Sequence, residues 1–281
     1  MTAAEELSVI IVTWRGDALL EGALESLFAV CPTGLETVVV DNDAAESTRA
    51  LVARFPGVKY VSAPGNPGFA GGNNRGLAVT TRPFVLLLNN DTILKGDSLS
   101  PLVAFLKAHP RVGIVQGTLV IPGFGLDDCG VELTPVGIQR HLHRGEAPER
   151  ARLEPRRVFA AKGALMMFRR EVVADAGGFL FYDRFRSYYE ETDFCHRARN
   201  AGWETWFVPT VPVEHLCGAT SSRFPRREIL AQYFANILFS FWHNFGWGGR
   251  LFTLPAFALA AAVRAPVAFC LALGRLRAIV R

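Results

Sequence analysis

Short apolar runs alternate with helical patterns over the first third of the chain. The runs that have the length and composition of buried strands are Val9–Thr13, Thr37–Asp41, Val58–Ser62 and Phe84–Asn89. Apolar residues at helical spacing predict helices over Asp17–Phe28, Glu46–Phe55, Gly72–Thr80 and Ser98–Ala108. Strands that alternate with helices predict an α/β fold with a mostly parallel, doubly wound sheet.

Polar residues follow two of these strands at the point where each strand ends. Asp41-Asn42-Asp43 closes one strand, and Asn89-Asn90-Asp91-Thr92 closes another. The carboxyl edge of an open α/β sheet is where such folds bind ligands. Between the two lies Asn66–Gly76, a loop with four glycines. The combination predicts a site for a nucleoside diphosphate and a divalent metal ion, whose charge neutralises the phosphates.

The pattern changes in the second half of the chain. Residues 122–157 carry proline, glycine and many charges, which predicts an irregular or hairpin segment flanking the site. Three acids then fall within four positions, Glu190, Glu191 and Asp193, at the start of a predicted helix that Gly202 ends. Mutual repulsion among them would raise the pKa of one acid, which suits a catalytic base.

The last part of the chain is apolar and basic. Leu251–Gly274 is mainly apolar, but Pro255, Arg264 and Pro266 interrupt it, and a central arginine costs about 2.5–3.5 kcal/mol on insertion. No acid occurs after Glu228, whereas the arginines are Arg250, Arg264, Arg275, Arg277 and Arg281. This favours a helical unit over residues 226–281 that lies in the anionic cytoplasmic face of a membrane, as in-plane or re-entrant helices. A single span and a helical cap on the domain over residues 1–225 remain alternatives.

Composition further limits the classes of function and the cellular compartments that fit the chain. The chain has 281 residues, half of them apolar, and a formal net charge of +4. Its basic residues are separated by long apolar runs, which argues against nucleic-acid binding. The five cysteines form no CxxC pair, which favours reduced thiols in a reducing compartment.

Six segments together resemble one enzyme family. They are Ser8–Thr13, Val40-Asp41-Asn42, Asn66–Gly76, Asn89–Thr92, Tyr189–Asp193 and Val213–His215, in the order in which the family has them. The chain resembles the inverting glycosyltransferases of family 2, which have the GT-A fold, over roughly residues 7–225. It is most similar to the rhamnosyltransferase-like branch of bacterial cell-surface polysaccharide synthesis.

The resemblance implies a donor site and a metal site. Asp91 and His215 would hold Mn²⁺ or Mg²⁺, although Asn89 stands where the family's DxD motif has its first acid. Asp41 would accept a hydrogen bond from the donor's pyrimidine base. The full set of implied donor-binding residues is Thr13, Asp41, Asn66, Gly71, Asn73, Asn74, Asn89 and Asn90. The implied donor is a dTDP- or UDP-sugar, first of all dTDP-rhamnose, and the acceptor is a lipid-linked or growing glycan.

The same resemblance implies a catalytic segment. Glu191 stands where the family usually has an aspartate and would be the general base. Glu190 would shape the site, and Asp193 would face elsewhere and orient the start of the helix.

Other interpretations remain open for these residues. Asp41 suits a turn after a strand, Asn89–Thr92 suits a turn or a helix cap, and His215 suits a structural role. At the level of function, the alternatives are a sugar nucleotidyltransferase and a non-catalytic scaffold of polysaccharide assembly. The first lacks a basic phosphate-gripping loop after the first strand, since Arg15 is the sole cation there.

Overall fold

The structure is a computed structural model that describes residues 2–31, 33–134, 136–217 and 224–280. Side chains are described as far as residue 276. Two arginines of the basic tail, Arg277 and Arg281, therefore have side chains outside the described residues.

The elements are as follows. The strands are β1 (Leu7–Thr13), β2 (Glu36–Asp41), β3 (Lys59–Ser62), β4 (Phe84–Asn89), β5 (Thr92–Leu94), β6 (Val112–Gln116), β7 (Leu119–Ile121), β8 (Gly125–Asp128), β9 (Val131–Leu133), β10 (Gln139–His141), β11 (Arg156–Val158), β12 (Leu165–Arg169), β13 (Glu204–Phe207) and β14 (Val213–His215). The helices are α1 (Asp17–Val30), α2 (Glu46–Val52), α3 (Gly68–Ala78), α4 (Ser100–Ala108), α5 (Arg170–Asp175), α6 (Glu190–Asn200), α7 (Arg226–Asn244), α8 (Trp247–Arg264) and α9 (Pro266–Val280).

A central sheet confirms the predicted α/β class. Among the described residues its strand order is β11-β13-β6-β12-β4-β1-β2-β3. The block from β4 to β3 is parallel, as the alternating pattern predicts. The sheet is mixed rather than wholly parallel, because β12 runs antiparallel to both β4 and β6.

A smaller sheet packs beside the first, with the order β5-β14-β7-β8. It draws β8 from the charged segment 122–157, which therefore contributes ordered strands and a β9–β10 hairpin rather than irregular structure alone. The neighbouring strands β6 and β7 belong to different sheets, so the chain passes from the central sheet to the smaller one between Gln116 and Leu119. The smaller sheet matters for function because it brings β14 alongside β5.

The central sheet is buried on both faces. In β1, Ile10 joins one apolar cluster while Val9 and Ile11 join the other, as the strand period of two requires. The cluster that contains Ile10 also contains Phe241 of α7 and Phe257 of α8. The division into a domain over residues 1–225 and a helical unit over 226–281 stays a prediction, and an apolar core is shared across it.

The C-terminal helices were predicted to interact with a membrane. Across the described part of the chain, every helix falls short of the length and apolarity that crossing a bilayer requires.

The glycines of α3 allow this helix to lie directly against the sheet. A Cβ on Gly76 would stand 2.4 Å from Cγ2 of Ile10, and one on Gly72 would stand 2.7 Å from Cγ1 of Val12. Both neighbours are β-branched side chains that cannot swing away. The glycine pattern of the loop therefore serves helix-to-sheet packing.

We expect Gly76→Ala to lower the free energy of unfolding by about 1–3 kcal/mol, because the new methyl group overpacks the interface with Ile10. Gly248→Ala in α8 is the matched control, since a Cβ there meets nothing within 4 Å. Urea titration of both variants checks the prediction. Equal stability of the two variants would contradict it.

Candidate active site

A cavity of about 480 Å³ opens at the carboxyl edge of the central sheet. The predicted site residues that line it are Thr13, Asn66, Asn89, Asn90, Asp91, Glu190, Glu191 and His215. The predicted site residues that do not line it are Asp41, Gly71, Asn73, Asn74 and Asp193. Asp41 and Asp91 were also predicted to end neighbouring strands, and this is wrong because β1 lies between β2 and β4.

Asp41 has its carboxylate committed to the backbone that follows it. Oδ1 accepts from the amide N–H of Asp43 at 2.9 Å, and Oδ2 accepts from that of Ala45 at 2.8 Å. Oδ2 also accepts from the Tyr60 hydroxyl, and the residue is fully buried. The structure therefore gives Asp41 the turn-forming role.

The next residue, Asn42, lines the cavity instead. Its Nδ2 donates to the carbonyl of Gly68 at 2.9 Å. Its Oδ1 is buried and lacks a partner within the part of the chain that the structure describes. An unsatisfied buried acceptor at a cavity wall favours a ligand donor. The sequence signal was an amide directly after a strand-ending acid.

The predicted ligand contacts of the glycine loop are corrected in three places. Helix α3 begins at Gly68 rather than Gly72, so Gly71, Asn73 and Asn74 lie within its turns. Asn73 donates to the carbonyl of Phe69, and Asn74 binds the backbone of Phe181 at both ends of its amide. These side chains hold the helix in place, and the loop residues that line the cavity are Asn66, Gly68 and Phe69.

Pairing of β5 with β14 brings His215 to Asp91. His215 lies opposite Thr92 in the antiparallel ladder, so its ring reaches the residue before Thr92. Nε2 stands 3.4 Å from Oδ1 of Asp91 and 3.2 Å from Nδ2 of Asn89. It therefore faces an acceptor and a donor at once, and it can present either a proton or a lone pair to the cavity. Asp91 and His215, the pair that the resemblance implies as metal ligands, therefore lie side by side.

A buried carboxylate that the sequence analysis missed, Asp127 of β8, orients His215. Its Oδ2 lies 2.8 Å from Nδ1 of His215 and 2.5 Å from Nζ of Lys162, and its Oδ1 pairs with Arg144. Burial alone would raise the pKa of Asp127, but the hydrogen bond to His215 and the charge of Lys162 hold that pKa well below its ordinary value. The sequence carries no signal for this role, since an Asp127-Asp128 pair inside a charged segment is ordinary in itself.

The charge on His215 follows from these partners. Burial lowers the pKa of the imidazole, but hydrogen bonds to Asp127 and Asp91 outweigh burial and raise the pKa of His215 to about 11. In the absence of a metal ion, the imidazolium supplies the positive charge beside Asp91. A cation bound at Nε2 would take the place of that proton.

Two donor sets compete for a metal ion around this ring. Cys217 stands 3.1 Å from Nδ1, and Asp127, His215 and Cys217 offer ligand atoms within 4.8 Å of one another. Asp127, however, already faces Lys162 and Arg144, so a cation there would meet two positive charges. The set formed by Asp91 and Nε2 of His215, which lines the cavity, is the better divalent site.

Glu190 and Glu191 begin α6 and line the wall that the second half of the chain contributes. Burial raises the pKa of both carboxyl groups, and the charge of Glu191 adds to the effect on Glu190. The raised pKa was predicted, although burial contributes more than repulsion. Each Oε2 is buried and without a hydrogen-bond partner among the described residues.

Asp193 points away from the cavity. Its Oδ2 accepts from Nε of Arg197 at 2.8 Å, and its Oδ1 accepts from Nδ2 of Asn244 at 2.7 Å. It ties α6 to α7. A structural role is therefore what the geometry supports, in place of a catalytic one.

The C-terminal helices supply part of the cavity wall, which the sequence analysis did not anticipate. The lining residues from this region are Phe224, Glu228, Ile229, Gln232 and Arg275. Lys162 and the loop residues Arg186, Ser187 and Tyr188 also line the cavity.

In the metal-free protein, we expect the His215 imidazole to stay protonated between about pH 6 and 9, because its pKa is raised above the unfolded value of about 6.5. The stabilisation from its ion pairs is then full below about 6.5 and is lost as pH rises through about 11. NMR titration of the ring checks this.

Asp127→Asn should move the His215 titration downward, whereas Glu214→Gln, which removes a neighbouring carboxylate paired with Lys95 at 3.0 Å, should not. An ordinary titration near 6.5 in the wild type would contradict the arrangement.

Two solved structures with the same fold were determined with a nucleotide or nucleotide sugar and Mn²⁺. The mannosyltransferase PcManGT from Pyrobaculum calidifontis, solved with GDP-Man and Mn²⁺, superposes with a TM-score of 0.60 over 98% of this chain and 75% of its own, at 18% identity. GalNAc-T7, solved with UDP, GalNAc and Mn²⁺, gives a TM-score of 0.70 over 93% of this chain and 52% of its own, at 15% identity. At these identities the likeness establishes the GT-A fold.

Sequence comparison gives the family. The low-salt glycan biosynthesis hexosyltransferase Agl10 of Haloferax volcanii is 28% identical over 231 residues, which are 79% of this chain and 71% of that protein. The profile of glycosyl transferase family 2 matches residues 8–177, more than half of the chain. The protein is therefore a glycosyltransferase that belongs to family 2.

Proposed function

We propose that the protein transfers a sugar from a nucleoside diphosphate to a hydroxyl of a lipid-linked or growing glycan, with inversion at the anomeric carbon. One observation carries the proposal. A single cavity has a carboxylate–imidazole pair, Asp91 and His215, on one wall and two carboxyl groups of raised pKa, Glu190 and Glu191, on another. The first pair suits a diphosphate with its cation, and the second suits removal of a hydroxyl proton.

The donor set at the first wall fits Mn²⁺ or Mg²⁺. Asp91 offers a carboxylate oxygen, and His215 offers Nε2 once its proton leaves. Asp127 on the far side of the ring holds Nδ1–H and so keeps Nε2 aimed at Asp91. A bound divalent ion supplies positive charge that stabilises the leaving diphosphate.

The chemistry at the second wall is a proton transfer. Glu191 takes the proton of the acceptor hydroxyl while that oxygen forms a bond to the anomeric carbon. The bond from this carbon to the diphosphate oxygen breaks, and attack from the opposite face inverts the centre. A pKa raised by burial makes Glu191 a stronger base than an exposed carboxylate. Glu190, one residue earlier, shapes the site and binds acceptor hydroxyls.

Asn42 supports a donor that carries uracil or thymine. Its Oδ1, which is buried and unpartnered among the described residues, is an acceptor for the imide N–H of these bases, which cytosine lacks. This moves the base contact predicted for Asp41 to the adjacent residue. Among such donors, dTDP-rhamnose stays the first choice on family resemblance.

The function is tested by offering the purified protein a panel of nucleotide sugars with Mn²⁺ and following transfer and hydrolysis. We expect turnover with a dTDP- or UDP-sugar. Glu191→Gln keeps the shape of the side chain and removes the basic oxygen, so kcat should fall by about 10²–10⁴ while donor binding is nearly unchanged.

Glu190→Gln, the same change one residue away, should have a smaller effect. A dead Glu190→Gln beside an active Glu191→Gln would reverse the assignment. Absence of turnover with every donor would favour the scaffold alternative.

Metal dependence gives a second prediction. Asp91→Ala should abolish transfer, and His215→Ala should weaken Mn²⁺ affinity, measured by EPR, more than it lowers the free energy of unfolding. Asp43→Ala is the control, because this carboxylate at the same sheet edge pairs with Arg15 and does not line the cavity. Full activity in excess chelator would contradict the prediction.

Exposed apolar side chains on the C-terminal helices support binding to the cytoplasmic membrane surface. Their exposed fractions are large for apolar groups, with Trp247 at 75%, Phe252 at 78% and Val263 at 74%. The others are Trp242, Leu251, Leu259, Val267, Leu271 and Leu273. The guanidinium of Arg250 lies about 5 Å from the rings of both Trp242 and Trp247. Aromatic, aliphatic and arginine side chains without acids suit an anionic lipid interface.

The helices that carry these exposed side chains also lie next to the active site. Helix α9 belongs to the same unit and contributes Arg275 to the cavity wall. An acceptor with a lipid anchor would therefore meet the active site at the membrane surface that holds the helices.

We expect the protein to cosediment with vesicles that contain anionic lipid and to bind neutral vesicles less well. Val263→Glu should reduce binding because it places a negative charge among the exposed apolar side chains. Arg264→Gln should reduce the electrostatic attraction to the vesicle by about 1 kcal/mol. Val79→Glu, at an exposed valine remote from these helices, should bind as the wild type does. A protein that ignores anionic vesicles would contradict the proposal.

A further inference from the structure

The loop that precedes the two glutamates has an unusual backbone. Arg186, Tyr188 and Tyr189 adopt φ angles of 56°, 74° and 74°. The left-handed region is unfavourable for residues with a Cβ, and such conformations persist only where surrounding contacts hold them. Tyr189 is directly followed by Glu190, so the position of both glutamates depends on what holds this loop.

Each backbone carbonyl of residues 185–189 has a hydrogen-bond donor, and these donors lie on α3, α6 and α7. The amide N–H of Ala70 donates to the carbonyl of Arg186, and that of Asp193 donates to the carbonyl of Tyr189. The other three carbonyls, those of Phe185, Ser187 and Tyr188, lie 3.1, 3.1 and 2.6 Å from Nδ2 of Asn236 and share its two N–H groups. Asn236 lies on α7 and is fully buried.

The orientation of this amide is set by a chain of donors that begins on α9. Arg275 can only donate, and its Nη1 lies 2.9 Å from Oε1 of Gln232. The Nε2 of Gln232 must then face Asn236, where it donates to Oδ1 at 2.8 Å. With its oxygen engaged, Asn236 directs its N–H groups at the three carbonyls. Glu228 in turn holds Arg275 by an ion pair.

We propose that Asn236, oriented by Gln232 and Arg275, is a positioning residue that sets the backbone of residues 185–189 and thereby the places of Glu190 and Glu191. The C-terminal helices are then part of the catalytic unit as well as of the cavity wall. The inference rests on the proposed function, in which these glutamates act on the acceptor.

The same helix offers a matched comparison. Asn244 of α7 also donates to the α6 region, but its partner is Oδ1 of Asp193, which points away from the cavity. If α7 only braces α6, loss of either asparagine amide should have similar consequences. If Asn236 positions the loop, the two losses should differ.

The test uses Asn236→Leu, Gln232→Glu and Asn244→Leu in the full chain. Gln232→Glu keeps an acceptor for Arg275 but has no N–H for Asn236, so the Asn236 amide loses its orientation without a large change in packing. We expect kcat to fall by roughly 10² in the first two variants, the effect of a displacement of about 1 Å, with donor KM nearly unchanged. Amide hydrogen exchange in peptides covering residues 185–191 should quicken in these two variants. Asn244→Leu should keep both the kcat and the exchange rate of the wild type.

Two results would overturn the inference. One is a folded Asn236→Leu or Gln232→Glu protein with wild-type kcat and wild-type exchange in the loop. The other is an equal loss in Asn244→Leu, which would indicate bracing alone. If the wild type has no transfer activity, the proposed function fails separately, and the exchange rates still decide whether Asn236 holds the loop.

Discussion

The geometry of the active site depends on the ion pairs of one buried carboxylate, that of Asp127. This carboxylate forms ion pairs with Arg144, Lys162 and His215, which come from separate segments of the chain. Removing this carboxylate would leave the largely buried cations of His215 and Lys162 without it as a partner, at a cost of about 3–5 kcal/mol. Because Asp127 binds Nδ1 of His215, the ring can present only Nε2 to Asp91. The position of the proposed metal-binding wall therefore follows from a residue that does not itself line the cavity.

The cavity places carboxyl groups in two opposite electrostatic environments. Asp127 is as buried as any residue in the protein, yet its cationic neighbours keep it ionised. Glu190 is buried and Glu191 is partly buried, with few compensating charges, so their pKa values rise. Pairs of carboxyl groups whose pKa values diverge in this way commonly mark the division between electrostatic support and proton transfer. In the proposed function, the same division separates the diphosphate side of this cavity from the acceptor side.

The sequence alone predicts the elements whose signal is local. Apolar runs that end in polar residues locate β4 and Asp91, and the acidic cluster locates Glu190 and Glu191. The glycine loop was harder to interpret, because the same glycines serve close packing on Ile10 and the asparagines satisfy nearby backbone. Asp41 was misassigned for a similar reason, since its neighbours' amides take both of its oxygens.

Residues that act through distant partners left no such signal. Asp127 binds His215, which lies 88 positions away in the sequence. Asn236 binds the loop before Glu190, which lies about 50 positions away. Each is an ordinary polar residue in its local context, and its role appears only when β14 and α7 are in place. Pairing across that distance is a property of the fold, so neither could have been found from spacing or composition.

Anomalous diffraction at the manganese edge, from crystals soaked with Mn²⁺ and a uridine or thymidine diphosphate, tests the central claim most directly. The account predicts one peak between Asp91 and Nε2 of His215, in contact with the diphosphate and on the cavity side of the ring. A peak on the other side, between Asp127 and Cys217, or at Glu190 and Glu191, would contradict it.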